Sequence, residues 1–139
     1  MARRAFLFLL LCASGCISYT GDVRRVQGIW RIKESYGEEE NQSKAAFDTQ
    51  LTIDGHLIIA DGERAVWRFE LNEAVEPREI NLSVLSGPEK GAMHRGIYHV
   101  KGDQWILTIQ KEADRPRPTK FDIGEKGSGL FTILLVRVQ

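Results

Sequence analysis

The side chains with the widest chemical reach at neutral pH are three histidines, His56, His94 and His99, and two cysteines, Cys12 and Cys16. His94 and His99 fall on one expected strand at an odd separation, which turns them to opposite faces, so they cannot share a metal ion without a bulge. His56 falls in or beside a hairpin turn. Neither an H-x-H nor an H-E-x-x-H spacing occurs, so no metal or cofactor is expected. The stretches SGPEKG (Ser86 to Gly91) and GEKGSG (Gly124 to Gly129) combine glycine with lysine, yet neither has the G-x-x-x-x-G-K-[ST] spacing of a phosphate loop. They are expected to be turns. No serine has a G-x-S-x-G setting, and no acid–base or nucleophile pair can be named, which argues against an enzyme.

With catalysis set aside, the informative feature is the pattern of elements. The chain has 139 residues, 42% hydrophobic and 27% charged, enough for one domain with a modest core. Nineteen basic side chains balance nineteen acidic ones and no Lys/Arg run exceeds two, so nucleic acid is not an expected partner. Strand-length segments with a period of two run over Gln27–Tyr36, Gln50–Ile53, Leu57–Ala60, Ala65–Leu71, Glu79–Leu85, His94–Lys101, Gln104–Gln110 and Leu130–Val138. Asp54-Gly55, Asp61-Gly62 and Gly102-Asp103 mark tight hairpins between them. Arg115-Pro116-Arg117-Pro118 must be a long loop or an edge, because proline has no N–H to give a ladder. The stretch from Glu38 to Phe47 is expected to be a loop with at most a short helical turn over one barrel end.

Eight strands with short sequential connections, each with one apolar face, are best satisfied by an all-β, eight-stranded antiparallel up-and-down barrel. At that strand number the interior holds packed side chains or one small ligand. Trp67, Phe69, Leu71, Tyr98, Val100, Trp105, Leu107 and Ile109 should all point inward, which makes them the candidate lining of a cavity for a small apolar ligand. The competing expectation is that these bulky side chains fill the barrel, which would then serve as a protein-interaction or structural module. Its contact surface would be the loops Ser86 to Gly91 and Asp114 to Lys120. No particular protein partner follows from the sequence.

The amino terminus carries a different signal. Arg3 and Arg4 form a charged region, Ala5 to Ala13 a short apolar one, and Ala13-Ser14-Gly15 a cleavage site, the organisation of an export signal over residues 1–15. The apolar run is roughly half of what a spanning helix needs. Ala13-Ser14-Gly15-Cys16 resembles the bacterial lipobox, which implies acylation of Cys16 and a membrane contact through the lipid anchor only. Ile17 is not the aspartate associated with inner-membrane retention, so the outer membrane is favoured. Cys12 leaves with the signal and the lipobox resemblance implies an acylated Cys16, the alternative being ordinary cleavage that leaves Cys16 a lone free thiol; no disulfide is expected. Removing Arg3 and Arg4 leaves seventeen basic against nineteen acidic side chains, and acyl chains, not charge, would do the anchoring. Residues 16–25 are expected to be a tether, and residues 26–139 the barrel domain.

Gly28-Ile29-Trp30 at the head of the first strand resembles the G-x-W signature of lipocalins and the wider calycin group. In that group the tryptophan plugs the closed end of the barrel, and a basic residue from the last strand packs over it. Arg137 stands at the matching place, so the resemblance assigns Gly28, Trp30 and Arg137 structural roles. From Gln27 to Val138 the chain is similar to a lipocalin-like domain family of planctomycete bacteria. QGIW (Gln27 to Trp30), LTIDGHLII (Leu51 to Ile59), PREINL (Pro77 to Leu82), SGPEKG, GIYHVKGD (Gly96 to Asp103), RPTKF (Arg117 to Phe121) and GSGLFTILLVR (Gly127 to Arg137) carry that similarity. It implies a fold and no particular activity.

Overall fold

The computed structural model describes residues 18–37, 49–62, 64–122 and 127–138. The expected export signal, Cys16 and the 38–47 stretch lie outside them. A short helix, α1 (Gly21–Arg25), precedes eight strands: β1 (Gly28–Gly37), β2 (Gln50–Asp54), β3 (Leu57–Ala60), β4 (Arg64–Asn72), β5 (Glu79–Val84), β6 (Met93–Lys101), β7 (Gln104–Gln110) and β8 (Leu130–Arg137). Each strand pairs antiparallel with the next, and β8 returns to β1, giving a closed up-and-down barrel. Among the described residues, every strand therefore has a neighbour on both sides.

Alternation decides which side chains enter the core. On β5 the buried Ile80, Leu82 and Val84 alternate with the half-buried Glu79, Asn81 and Ser83. On β7 Trp105, Leu107 and Ile109 are inside, and on β4 Phe69 is buried between the exposed Arg68 and Glu70. The outer face carries Arg31, Lys33, Arg68, Glu70, Arg95 and Lys101, all exposed. An apolar interior within a charged exterior reverses the pattern of a barrel that faces lipid. Among the described residues no helix is long and apolar enough to cross a membrane.

Four local departures from the sequence reading matter for what the barrel can do. Asp54 pairs with Leu57 as the last residue of β2, so the turn is Gly55-His56, one residue later than expected. Only Gly55 there needs a positive φ (61°). A bulge between Ile32 and Glu34 reverses the alternation of β1, placing Glu34 and Tyr36 outside. Tyr36 is 52% exposed, its hydroxyl donating to Glu34 at 2.7 Å. A second irregularity between Ile58 and Ile59 adds a residue to β4 at Val66. The expected tether holds α1, and Asp22 within it is fully buried, as is Val26 just after it.

The proline-rich segment is a loop, and it is tied down. Arg117 donates through Nη1 to the carbonyls of Ile80 (2.9 Å) and Gly96 (2.8 Å), and through Nη2 to Asn81 Oδ1 (2.7 Å). Its Nε lies 3.4 Å from Glu79. Pro118 is buried beside it, and Arg95 donates to the Ala113 carbonyl. Residues 111–122 thus form a strap over the outer face of β5 to β7, which explains why the outward-facing Ile97 and Thr108 are buried. The Asp114 to Lys120 loop, read from sequence as a free contact surface, is anchored at its middle.

Candidate functional site

Among the described residues, the barrel has a filled end and an open end. At the filled end lie α1, the Gly55-His56 turn, the 72–78 loop, the Gly102-Asp103 turn and the termini of the sheet at Gly28 and Arg137. Trp30 is completely buried and donates its indole N–H to the Val26 carbonyl at 2.8 Å. Arg137 lies over its ring, with Cζ 4.4 Å from the centroid, a contact worth about 0.5–2 kcal/mol in a partly desolvated setting. The same guanidinium donates to the carbonyls of Gln27 (2.6 Å) and Arg25 (2.5 Å) and meets Asp103 at 3.2 Å. Gly28 takes a φ of 115°, and a Cβ there would stand 3.1 Å from Arg137 Nη1, so both backbone shape and space call for glycine.

A buried ionic clasp closes this end. Asp22 Oδ2 accepts from Arg78 at 2.6 Å and from the Tyr98 hydroxyl at 2.7 Å, while its backbone N–H donates to Glu73 at 3.1 Å. Arg25 approaches Oδ1 at 3.4 Å. A buried carboxylate is tolerable only when compensated in this way. Burial, followed by the bond to Asp22, holds the Tyr98 hydroxyl far above the ordinary tyrosine range. The bond to Asp22 also raises the Arg78 guanidinium. Gln27 adds a second clasp: its amide nitrogen donates to the carbonyls of Val23 and Gly55, and its oxygen accepts from the Gly55 N–H at 2.7 Å. Tyr19 packs edge-on against His56, with centroids 6.2 Å apart.

Seven of the eight candidate cavity residues belong to the packed interior. Phe69, Tyr98, Trp105 and Ile109 are essentially inaccessible, Val100 and Leu107 are buried, and Leu71 packs against the same cluster from a partly exposed position. Trp105 stands edge-on to both Trp30 (5.8 Å) and Phe69 (6.0 Å), so three aromatic rings fill the volume a ligand would need. The Trp105 indole nitrogen is buried with no acceptor among the described residues.

Only Trp67 of that set lines the cavity at the opposite end. This cavity has a volume of about 670 Å³. Its walls are Ile32, Leu51, Ala60, Val66, Trp67 and Val84, and its rim includes Thr49, Ser86, Pro88 and Glu89. The volume lies within the range of small-molecule sites, as does the mixture of apolar walls with a few polar groups. His94, on the inward face of β6 with Tyr98, has its side chain 12% exposed and its Nε2 3.8 Å from Glu89. Its Nδ1 is buried with no partner among the described residues.

The sequence places His94 and His99 on opposite faces of one strand, and the parity of β6 puts His94 on the same side as Tyr98. Sequence reasoning missed Asp22 and Arg78 altogether, since nothing in a five-residue helix and a loop marks their pairing. Ile32, Leu51, Ala60 and Val84 were legible as inward but not as cavity walls, while Val66, of opposite parity to Trp67, lines the cavity at the irregularity in β4. No family model, curated protein or solved structure matches this chain.

Proposed function

We propose that this chain is an exported, lipid-anchored envelope protein whose lipocalin-like barrel takes a small molecule with an apolar body and a polar head into its open end. The observation that carries the reading is the contrast between a fully packed end and a cavity of about 670 Å³ with apolar walls at the other. Apolar groups entering such a cavity gain roughly 25 cal/mol per Å² buried. Ser86, Glu89 and His94 supply hydrogen-bonding groups at or near the mouth for a head group. Catalysis is no part of this reading. The anchoring would come from the acyl chains on Cys16, which exceed the two signals that stable attachment usually requires.

The test is a fluorescence titration of the barrel with N-phenyl-1-naphthylamine, a small apolar dye that brightens on leaving water. Saturable binding is expected, lost in Val84→Trp, which would fill the cavity from a wall position. Unchanged binding in that variant would move the ligand elsewhere.

A second reading, a protein-interaction or structural module, draws on one observation of its own. Glu34, Tyr36, Ile106, Phe121 and Leu134 line a shallow groove of about 380 Å³ on the outer face, where Tyr36 and Phe121 are exposed. It predicts that a defined envelope partner is lost with Phe121→Ser while dye binding persists.

A further inference from the structure

We infer that the barrel stands on its filled end at the anchoring membrane, held there by a tether too short to let it turn over, so that the cavity opens to and is loaded from the aqueous side. The inference rests on the lipid anchor and on the cavity proposed above, and adds an orientation to them.

The path of the chain carries it. Tyr19 is already part of the filled end, because its hydroxyl would stand 2.5 Å from a Cβ on Gly55 and its ring meets His56. Three residues later Asp22 is locked by Arg78, Tyr98 and Glu73. Ser18 is the first residue before that packing, and Cys16 precedes it by two residues, a covalent reach of no more than about 7 Å. The cavity rim is at the other end of the same strands. From Arg78 along β5 to Ser86 the chain advances about 26 Å along the strand, or roughly 20 Å along the axis of a tilted barrel. A tether of about 7 Å cannot let the barrel turn over and stand on a rim that far away without unpacking Tyr19 and α1.

The surface of the filled end suits the position. Ile29 (43% exposed) and Val75 (38% exposed) are both there. Arg24, Arg25 and Lys101 are exposed against Asp54, Glu73, Glu76 and Asp103, so the face has little net charge to push it from an anionic bilayer.

The experiment uses the full chain purified from membranes and reconstituted into phosphatidylethanolamine–phosphatidylglycerol vesicles that carry a nitroxide on some head groups. Acylation leaves the mature chain without a thiol, so Val75→Cys and Lys90→Cys each give a single fluorophore site, on the filled end and near the cavity rim. Quenching is expected to be several-fold stronger at position 75 than at position 90. Inserting twenty Gly/Ser residues between Ile17 and Ser18 should collapse that difference. Equal or reversed quenching in the parent chain overturns the orientation, and a difference that survives the insertion overturns the tether as its cause. An amino-terminal peptide whose mass lacks acyl groups defeats the lipid anchor and the orientation together. Loss of dye binding alone, with the quenching ratio intact, defeats the cavity and leaves the orientation standing.

Discussion

The two ends of this barrel are built from the same eight strands and the same alternation, and they differ in what the residues beyond the strands contribute. At the filled end α1, the two residues after it and the Gly55-His56 turn fold inward, supplying Asp22, Val26 and Gln27. These polar groups are paired, and the space between them is taken by Trp30, Trp105 and Phe69. At the open end the 85–92 loop stands at the rim, leaving Trp67 and Val84 as walls of a cavity. Strand patterning therefore settles inside against outside, and at the filled end the residues beyond the strands supply what fills it.

The largest effect expected from breaking this contrast is at Trp30. Trp30→Ala removes a completely buried indole, its bond to Val26 and the surface under Arg137, and should cost about 3–5 kcal/mol in denaturant unfolding. A loss below about 1 kcal/mol would mean that the filled end is not the source of stability.

Next comes Asp22. Asp22→Ala leaves the Tyr98 hydroxyl without its acceptor and Arg78 without its counter-charge, and should cost about 2–4 kcal/mol. The lower part of that range applies because Arg78 keeps access to water, with its side chain 35% exposed. The same variant should unpack α1, read out as faster amide exchange at Val26 and Trp30.

Tyr98 sharpens the contrast through pH. Its folded-state pKa lies above the ordinary value of 10.0, so the folded chain keeps a proton that the unfolded chain releases. The contribution is complete below about pH 10 and is lost as pH rises beyond it, toward the folded-state pKa. Stability should therefore fall on the alkaline side above about pH 10, and Tyr98→Phe should flatten that fall while costing about 1–2 kcal/mol at neutral pH. An identical alkaline slope in the variant would assign the titration to other groups.

Much of the scaffold was legible in the sequence because its signals are local. Period-two alternation located all eight strands, and Gly-containing pairs marked the tight turns, with the error at Asp54-Gly55 a shift of one residue. Other features depend on contacts that no local pattern encodes. Asp22 meets Tyr98 across 76 positions, and Arg117 reaches Ile80 across 37. The bulge after Ile32 turns Tyr36 outward against the alternation. For the cavity, alternation says that Trp67 and Phe69 share a face, but their depth along the axis depends on closure and on the loops, which is why seven inward residues proved to be core.

The smallest effect on stability, and the one that separates the two ends most cleanly, is at the rim. Glu89 has 73% of its side chain exposed and only a loose 3.8 Å approach to His94, so Glu89→Gln should change stability by no more than about 0.5 kcal/mol. Its carboxylate is at the mouth of the cavity, where a charged head group would lie. The substitution should weaken binding of a cationic probe, 1-(aminomethyl)naphthalene, several-fold and leave the neutral N-phenyl-1-naphthylamine unchanged, both measured by fluorescence titration. Equal weakening of both probes would mean that Glu89 shapes the cavity instead of reading charge. A stability loss comparable to that of Asp22→Ala would mean that the rim is built like the filled end, removing the distinction on which the binding reading depends.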